Sequence, residues 1–546
     1  MPQMTTAEAT VESLVRHGID TLYALPGVHN DPLFDAVHRS AGRMRVLHPR
    51  HEQAAGYMAL GAAVATGRPQ AFAVVPGPGL LNAGAALLTA YGLGAPVLAL
   101  IGQIPSDALD RAYGHLHEIP DQLGLLRHLT KHAARITAPA DAPLRVAEAL
   151  AAACSGRRRP VALECAIDVW AQSGPVRFPE PALPTPPEPD DGALDRAAAL
   201  LAQSKRPLIV AGGGALDATA ELRELAETLQ APVLTYRRGR GVLATDHPLA
   251  VSLPVGHRLW READAVLGVG TRMLLPLNAW GTDPGIALIR IDIDAEEITR
   301  LRRPDCAIHA DAAPALRALL DRLPRTPRPP RTDVGEAQDW FVGRLSRLQP
   351  QMDFLRAIRA ALPEDGILVE EVTQLGFAGR LAFPVRHPRL YVSPGYQDNL
   401  GWGFGTALGI KAALPGRAVV AMAGDGGFLY QAGELATARL HNLAVVAVVF
   451  DDGAFGNVRR IQADRYGNRL IACDLANPDF ARLAESFGVA GLRARDADEL
   501  ESRLREALAR NEPALIHVPV GEMPSPWDMI LLPRVRGTET WRKVLP

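Results

Sequence analysis

The sequence predicts an α/β fold of three α/β domains, each built on a mainly parallel central sheet. The chain has 546 residues, and at roughly 150 residues per domain this exceeds what one hydrophobic core can organise. Two proline-rich stretches, residues 181–189 and 323–330, divide the chain, because consecutive prolines resist both helix and sheet pairing. In the segments on either side of these stretches, short apolar runs alternate with Gly or Pro turns and Ala/Leu-rich helical stretches, which is typical of βα units.

The apolar runs themselves predict the kind of sheet. They are continuous rather than alternating, as expected for strands buried on both faces of a parallel sheet. With the proline-rich stretches as linkers, we predict an N-terminal domain, a central domain, a C-terminal domain and a tail that either covers a site or packs on the surface. The clearest runs are residues 71–75, 207–211, 265–269, 419–423 and 443–450, and the predicted domains are residues 1–180, 190–325, 345–530 and 531–546.

Composition and charge exclude several classes of protein. Hydrophobic residues make up 48% and charged residues 22%, the balance of an ordinary globular protein. Lys and Arg number 58 against 60 Asp and Glu, so no net charge steers the chain to nucleic acid. No window is apolar enough for a membrane span, and the N-terminus lacks a signal-peptide pattern. Four distant cysteines without a CxxC pair predict neither disulfides nor a zinc site, so we expect a cytoplasmic protein.

A glycine-rich turn, Gly424, Asp425, Gly426 and Gly427, directly follows the predicted strand at residues 419–423. Glycines let the backbone approach a phosphate closely, and a helix predicted over 429–440 adds to this a favourable dipole. The carboxylate within the turn points to a divalent cation.

A second acidic turn, Asp451 and Asp452, ends the next apolar run. In an open parallel sheet both turns lie at the carboxyl ends of strands, where ligands bind. Asp425 and Asp452 are therefore candidates to share one Mg²⁺, with the carbonyl of Ala454 and diphosphate oxygens completing its shell. The alternative is a plain turn and a solvated loop, because short motifs often match by chance.

The two turns together resemble the fingerprint of thiamine diphosphate (ThDP) enzymes, a GDG followed at this spacing by an Asn-Asn turn. The chain is similar to the family of acetohydroxyacid synthases, pyruvate and benzoylformate decarboxylases and benzaldehyde lyase, with pyrimidine, central and diphosphate domains in that order. Asp451-Asp452 departs from the family's Asn-Asn and adds a negative charge near the diphosphate. The resemblance implies ThDP and Mg²⁺ as cofactors, with Gly424, Asp425, Gly426, Gly427, Asp452, Ala454 and Phe455 at the cofactor and Asp425, Asp452 and Ala454 at the metal.

Further motifs extend the resemblance. Residues 50–55, RHEQAA, match a family element, which implies that Glu52 hydrogen-bonds N1′ of the aminopyrimidine and activates the cofactor. Without the resemblance, Glu52 is a carboxylate that complements a helix dipole. Gln374 occupies the place of a diphosphate donor, and Leu400 that of the wedge under the bent cofactor. Residues 76–82 and 101–103 match the family's SGPGxxN and SGQ turns.

Two histidines are candidate proton carriers. His29 lies in the turn that the resemblance aligns with substrate-contacting groups, and His117 replaces the Gln of the family's FQE element. Imidazoles exchange protons near neutral pH, so both histidines are candidates to relay protons at the site. The alternative is that both are ordinary hydrogen-bonded residues.

The resemblance implies a decarboxylase, carboligase or lyase that acts on a 2-oxoacid or 2-hydroxyketone through a C2 ylide and an enamine. Acetolactate synthase, guanidino-2-oxoacid decarboxylase and a non-catalytic ThDP-binding subunit remain alternatives. The synthase carries an RFDDR element with two Arg residues, and this chain matches only the first of them, at Arg272. The tryptophan that follows the metal turn in the synthase is absent from this chain. FAD is compatible with the turn at residues 212–214 but is not predicted. In this family Glu52 of one subunit meets the diphosphate site of another, which implies a homodimer or homotetramer.

Overall fold

A computed structural model describes residues 1–182, 184–324, 326 and 328–538. The chain forms three six-stranded sheets in which all neighbouring strands are parallel, so the predicted fold class is confirmed. The predicted linkers lie partly outside the described residues, at 183, 325 and 327, and their described residues are neither helix nor strand. The sheets fall within the predicted domain ranges, whose boundaries remain predictions.

The N-terminal domain surrounds the first sheet, and a two-stranded antiparallel ribbon of β1 and β8 closes it. Its strands are β1 (Gln3–Thr5), β2 (Thr21–Ala24), β3 (Arg45–Leu47), β4 (Gln70–Val74), β5 (Val97–Gln103), β6 (Ala133–Ile136), β7 (Val161–Ala166) and β8 (Ser173–Pro175). Its helices are α1 (Thr6–Arg16), α2 (Asp31–Arg39), α3 (Glu52–Thr66), α4 (Pro78–Leu93), α5 (Gln122–Leu129), α6 (Ala142–Cys154) and α7 (Ile167–Ala171).

The central domain carries the second sheet and a short π-helix at Leu275–Trp280. Its strands are β9 (Pro207–Ala211), β10 (Val233–Thr235), β11 (Ala250–Val251), β12 (Ala265–Val269), β13 (Ala287–Asp292) and β14 (Cys306–His309). Its helices are α8 (Asp191–Gln203), α9 (Thr219–Leu229), α10 (Leu253–Trp260), α11 (Ala295–Thr299) and α12 (Ala312–Leu320).

The C-terminal domain carries the third sheet. Its strands are β15 (Ile367–Glu370), β16 (Tyr391–Val392), β17 (Val419–Gly424), β18 (Val445–Asp451), β19 (Ala490–Arg493) and β20 (Ala514–Pro519). Its helices are α13 (Thr332–Leu345), α14 (Gln351–Ala361), α15 (Gln374–Ala382), α16 (Gly403–Ala413), α17 (Asp425–Phe428), α18 (Leu435–Leu440), α19 (Gly456–Arg465), α20 (Phe480–Ser486) and α21 (Ala497–Arg510).

Strand order locates the crevices where ligands bind. The outer domains share one order, β3-β2-β4-β5-β7-β6 and β16-β15-β17-β18-β20-β19, so chain direction switches between β2 and β4 and between β15 and β17. The central sheet has the order β11-β10-β9-β12-β13-β14, which is that of a doubly wound dinucleotide-type domain. Ligands of open parallel sheets bind at such switch points. The turns after β2, β4, β15 and β17 are therefore the places to look for function.

The single helix predicted over residues 429–440 is wrong. The segment contains a 3₁₀ turn, Ala432–Glu434, and the short helix α18 that starts at Leu435. The side chain of Gln431 accepts a hydrogen bond from the Gly405 amide, and the Glu434 carboxylate accepts one from the Arg50 amide. These tertiary contacts override the helical pattern of the sequence.

The last described residues pack on the central domain rather than standing free. The Arg536 guanidinium donates to the carbonyls of Trp260 and Ala263 and pairs with Asp283. Residues 539–546 of the predicted tail lie outside the described residues. No helix among the described residues is long and apolar enough to cross a membrane.

Candidate functional site

The glycine turn after β17 is packed so tightly that side chains do not fit. A Cβ atom on Gly426 would lie 2.6 Å from the ring of Phe455, and one on Gly427 would lie 2.7 Å from the carboxylate of Glu371. Asp425 at the start of α17 is 3% exposed. The predicted cofactor residues of this turn and Phe455 thus lie side by side at the switch point of the third sheet.

Three carboxylates gather where β17 and β18 end. The two strands pair in register up to Gly424, so the turns that follow them are neighbours. Burial, and then the nearby Asp425 carboxylate, raise the pKa of Asp452 to about 6. Burial also raises the pKa of Asp425, with Asp451 adding to the effect. Crowded, partly desolvated carboxylates of this kind are stabilised by a bound cation.

The oxygen atoms present suit Mg²⁺, a hard cation that prefers carboxylate and carbonyl ligands. No hydrogen bond within the described part of the chain reaches the carbonyl oxygen of Ala454, although its neighbour Phe455 donates to Cys473. Among the described residues, no group of three or more His, Cys, Asp or Glu side chains is placed so that it could hold a metal ion by itself. Two carboxylates and one carbonyl therefore fit a cation whose remaining ligands come from a diphosphate and water.

Two further residues approach this turn, and sequence reasoning missed both. Asn477 donates from Nδ2 to Asp425 Oδ2 at 2.6 Å and to Asp451 Oδ1 at 2.7 Å. His517 on β20 places Nε2 3.0 Å from Asp451 Oδ2. Neither belongs to a motif, and only the parallel pairing of β18 with β20 brings His517 to the site.

The turn after β15 faces the glycine turn across the switch point. A Cβ atom on Gly424 would lie 2.9 Å from the Thr373 side chain, and Thr373 caps α15 by accepting from the Gly376 amide. Gln374, the predicted diphosphate donor, is the first residue of α15, and its Oε1 is buried without a partner. Its position agrees with a role at this crevice, which remains a prediction.

Glu371 fixes the loop that carries Leu400. Its carboxylate accepts a hydrogen bond from the Gly401 amide, while its Oε2 is buried and unpartnered. Burial raises the pKa of Glu371 to about 7. Gly401 has a φ of 76°, and a Cβ atom there would lie 2.5 Å from the side chain of Tyr430. The half-buried Leu400 is therefore followed by a turn that Glu371 and Tyr430 hold in place.

Glu52 begins α3, directly after the N-cap residue His51. Its Oε2 accepts a hydrogen bond from Asn82 Nδ2 at 3.0 Å, one turn into α4. The buried carboxylate of Glu434 in the C-terminal domain accepts from the amides of Arg50 and His51. The turn before Glu52 is thus anchored, while the Glu52 carboxyl group itself stays partly exposed.

His29 and His117 lie together at the switch point of the first sheet. Their rings stack with centroids 5.2 Å apart, and Nδ1 of each is buried with no hydrogen-bond partner among the described residues. Burial, and then the charge of His117, lower the pKa of His29 below its usual range. His117 adopts a φ of 64°, and a Cβ atom on Gly77 would lie 2.5 Å from its carbonyl oxygen. The start of α4 therefore lies between this pair and Glu52.

A buried polar network fixes these turns from behind, and it too was missed. Glu164 on β7 is fully buried and accepts from Arg135, Gln122 and Gln103. Gln122 in turn accepts from the Gly77 amide. Glu164 and Gln122 are distant in sequence and form no motif, so only strand order brings them together.

The glycine turn after β9 is explained by packing. A Cβ atom on Gly212 would lie 2.4 Å from the carbonyl oxygen of Gly270, and one on Gly214 would lie 2.7 Å from the Gly270 Cα. A Cβ atom on Gly213 would lie 3.4 Å from Nε of Arg238. Arg272 stacks on Tyr396 with its guanidinium carbon 4.1 Å from the ring centroid. None of these contacts requires FAD.

The crevice between β15 and β17 defines the class of protein. Glycine turns and clustered carboxylates at the switch point of a parallel sheet bind cofactors that carry a diphosphate and its metal. Three family profiles match the chain and make the class specific. They are the N-terminal TPP binding domain, the central domain and the C-terminal TPP binding domain of thiamine pyrophosphate enzymes, at residues 4–125, 194–319 and 371–518.

Relatives extend the match over nearly the whole chain. A probable 2-ketoarginine decarboxylase of Pseudomonas aeruginosa is 35% identical, with 94% of each chain covered. A probable acetolactate synthase large subunit of Methanocaldococcus jannaschii is 33% identical over 94% of this chain and 92% of its own. The acetolactate synthase isozyme 3 large subunit of Escherichia coli is 30% identical over 93% of each. The chain belongs to the thiamine pyrophosphate enzyme family and is a ThDP-dependent lyase or transferase that acts on C–C bonds.

Proposed function

We propose that the protein is a ThDP- and Mg²⁺-dependent non-oxidative decarboxylase of a 2-oxoacid. The observation that carries the proposal is the stacked pair of His29 and His117 beside the turn at Gly77. Two imidazoles side by side favour delivery of a proton to the product, which releases an aldehyde. A relative at 35% identity is a probable 2-ketoarginine decarboxylase, which supports this reaction. A guanidino-2-oxoacid is therefore the first substrate to test.

Each candidate residue has a defined task in this proposal. ThDP, when bound, supplies the electron sink that allows a 2-oxoacid to lose CO₂. Asp425, Asp452 and the Ala454 carbonyl hold Mg²⁺. Glu52 holds a proton at the aminopyrimidine N1′, a task that suits a carboxyl group sheltered from water. His29 and His117 orient the substrate and move a proton at their imidazole nitrogens.

The second candidate function is carboligation of the acetolactate synthase type. Two acetolactate synthase large subunits, one of them a probable one, match nearly the whole chain at 33% and 30% identity. Carboligation needs a group that holds the carboxylate of a second substrate, and the guanidinium of Arg272 is stacked on Tyr396. This arrangement favours decarboxylation over coupling.

The first test is product analysis by mass spectrometry with ThDP, Mg²⁺ and a panel of 2-oxoacids that includes pyruvate, benzoylformate and 5-guanidino-2-oxopentanoate. We expect CO₂ and an aldehyde from the wild-type protein. Glu52→Gln should lower turnover at least about 100-fold, because general acid–base groups contribute at least that much. Glu148→Gln, which changes an exposed carboxylate on α6, is the matched control. A coupled hydroxyketone product would favour the carboligase, and cofactor binding without any turnover would favour a non-catalytic subunit.

We also propose that the functional unit is a homodimer or homotetramer in the cytoplasm. Leu81 and Leu88, two turns apart on α4, are 56% and 41% exposed, and Tyr430 near the cofactor turn is 59% exposed. Burial of these side chains by a second copy would stabilise the assembly. The four cysteines are all free, which fits a reducing compartment.

A further inference from the structure

The negative charge of Asp451, beside the proposed metal ligands, is met by donors from distant parts of the chain. Asn477 Nδ2 lies 2.7 Å from Asp451 Oδ1, which the Gly453 amide also reaches at 3.2 Å. His517 Nε2 lies 3.0 Å from Asp451 Oδ2. A carboxylate oxygen accepts hydrogen bonds, so we assign Nε2 of His517 as the donor of this one. Both oxygens of Asp451 therefore face protein donors.

Asn477 links this carboxylate to the metal turn. Its amide nitrogen has two hydrogens, and the second points to Asp425 Oδ2 at 2.6 Å. One amide group thus bridges two carboxylates that would otherwise repel each other. The bridge restricts the Asp425 side chain and directs its other oxygen away from Asn477. Hydrogen bonds to charged groups are strong enough to hold a side chain in one rotamer.

This arrangement gives a physical reason for Asp rather than Asn at position 451. The two donors approach opposite oxygens, and an Asn side chain offers only one acceptor oxygen. His517 is itself fixed, because β20 pairs with β18 so that His517 lies opposite Val449. Its ring also contacts that of Phe480 edge-on, with centroids 5.3 Å apart.

We propose that Asn477, Asp451 and His517 form a positioning relay that holds Asp425 in the orientation in which it binds Mg²⁺. This inference rests on the cofactor chemistry proposed above and extends it to residues outside the fingerprint. The three are positioning residues, since their contacts are with the carboxylate and with one another. A carboxylate held in place loses less freedom when it binds a cation, so the relay raises the affinity for Mg²⁺.

The test is isothermal titration calorimetry of Mg²⁺ into full-length protein with saturating ThDP. Asn477→Ala and Asp451→Asn should each raise the Kd for Mg²⁺ about tenfold, the effect of losing one hydrogen bond to a charged group. The Kd for Mg²⁺ of the double variant should be no higher than that of the single variant that binds Mg²⁺ more weakly, because both changes break the same relay. His517→Leu should also weaken binding, and His517→Gln should restore it, because an amide nitrogen can donate to Asp451.

Asp474→Asn is the matched control, since it removes a carboxylate that is 83% exposed from the same loop. Thermal unfolding without Mg²⁺ and ThDP separates loss of the fold from loss of the metal site. Losses that multiply in the double variant, or an Asn477→Ala protein that binds Mg²⁺ within twofold of wild type, would overturn the relay alone. A wild-type protein that binds no Mg²⁺ with ThDP would overturn the proposed cofactor chemistry and the relay with it.

Discussion

Burial of the single residue Glu371 makes the stability of the folded protein depend on pH. It is 1% exposed, and burial raises its pKa to about 7. The folded pKa lies above the ordinary value of 4.5, so the folded protein holds this proton more tightly than the unfolded chain. The free energy of unfolding should therefore fall as the pH rises from about 4.5 to about 7.

Glu371→Gln should remove this pH dependence, because an amide is neutral at every pH. At pH 8 and without cofactors, we expect the variant to exceed the wild type in free energy of unfolding by up to about 3 kcal/mol. The measurement is urea unfolding of both proteins at pH 5 and pH 8. Glu364→Gln, a change at an exposed carboxylate of the same domain, should leave the pH dependence as it is. Parallel pH profiles for wild type and Glu371→Gln would contradict the argument.

The His29 pair gives a second prediction at this scale. Because burial lowers the pKa of His29 below its usual range, its protonated imidazole gives up a proton readily, as proton delivery to the product requires. His29→Ala should lower kcat for decarboxylation about 100-fold and leave the Kd for ThDP unchanged. Steady-state kinetics and cofactor titration measure the two quantities separately. His38→Ala, on the exposed face of α2, is the control. Equal losses in kcat and ThDP affinity would instead indicate a structural role.

Sequence motifs predicted the site residues that belong to a motif and missed those that reach the site from distant segments of the chain. The fingerprint identified Asp425 and Asp452, which the structure brings together at one sheet edge. Asn477 follows Asp425 by 52 positions and His517 follows Asp451 by 66, with no pattern to link them. Their contacts depend on strand order, which a single sequence does not contain.

At the scale of elements, the packing of α3 on α16 unites the outer domains. A Cβ atom on Gly61 would lie 2.0 Å from the carbonyl oxygen of Thr406, and one on Gly409 would lie 1.9 Å from that of Met58. The two helices therefore touch backbone to backbone. Glu52 begins α3, and the loop of Leu400 leads into α16. This contact fixes the relative position of two segments that carry predicted cofactor residues.

Gly61→Ala should separate the two helices and lower both stability and activity. A methyl group forced against a backbone carbonyl costs about 1–3 kcal/mol or more, because neither helix can shift without moving its domain. Differential scanning fluorimetry and decarboxylation assays would measure the two effects. Gly343→Ala on α13, where a Cβ atom meets nothing within 4 Å, should instead leave the melting temperature unchanged or slightly higher. A Gly61→Ala protein as stable as wild type would show that the helices adjust.

At the scale of the whole molecule, the continuous apolar runs were enough to predict three parallel sheets. Residues 207–211 and 265–269 are strands with the predicted bounds. Burial on both faces of a strand produces a continuous apolar run, so the order of residues along the chain is enough to indicate such strands. Strand order is different, because it follows from the handedness and length of each connection. The shared order of the outer sheets, and with it the position of the crevice in each of them, emerges only in the folded chain.

The position of Glu52 bears on how many chains complete one site. Within one chain its recorded partner is Asn82, and no hydrogen bond in the described part joins Glu52 to the turn of Asp425. The anchor at Glu434 holds α3 while leaving the Glu52 carboxyl partly exposed. The proposed task of the Glu52 carboxyl group needs shelter from water, and a single chain leaves this group partly exposed. A second copy packed against the exposed apolar side chains of α4 would provide that shelter.

Subunit complementation tests this directly. Glu52→Gln and Asp425→Asn should each abolish decarboxylation, since one lacks the activating acid and the other a metal ligand. If each site combines Glu52 of one chain with Asp425 of its partner, a mixed dimer contains one intact site and one doubly altered site. Random assembly of equal amounts should then restore about a quarter of wild-type activity. Co-expression with two affinity tags isolates the mixed dimer, and because one of its two sites is intact, the doubly tagged dimer should show about half of wild-type activity. Sites formed within one chain would give mixed dimers with no activity at all, because every site would carry one of the two changes.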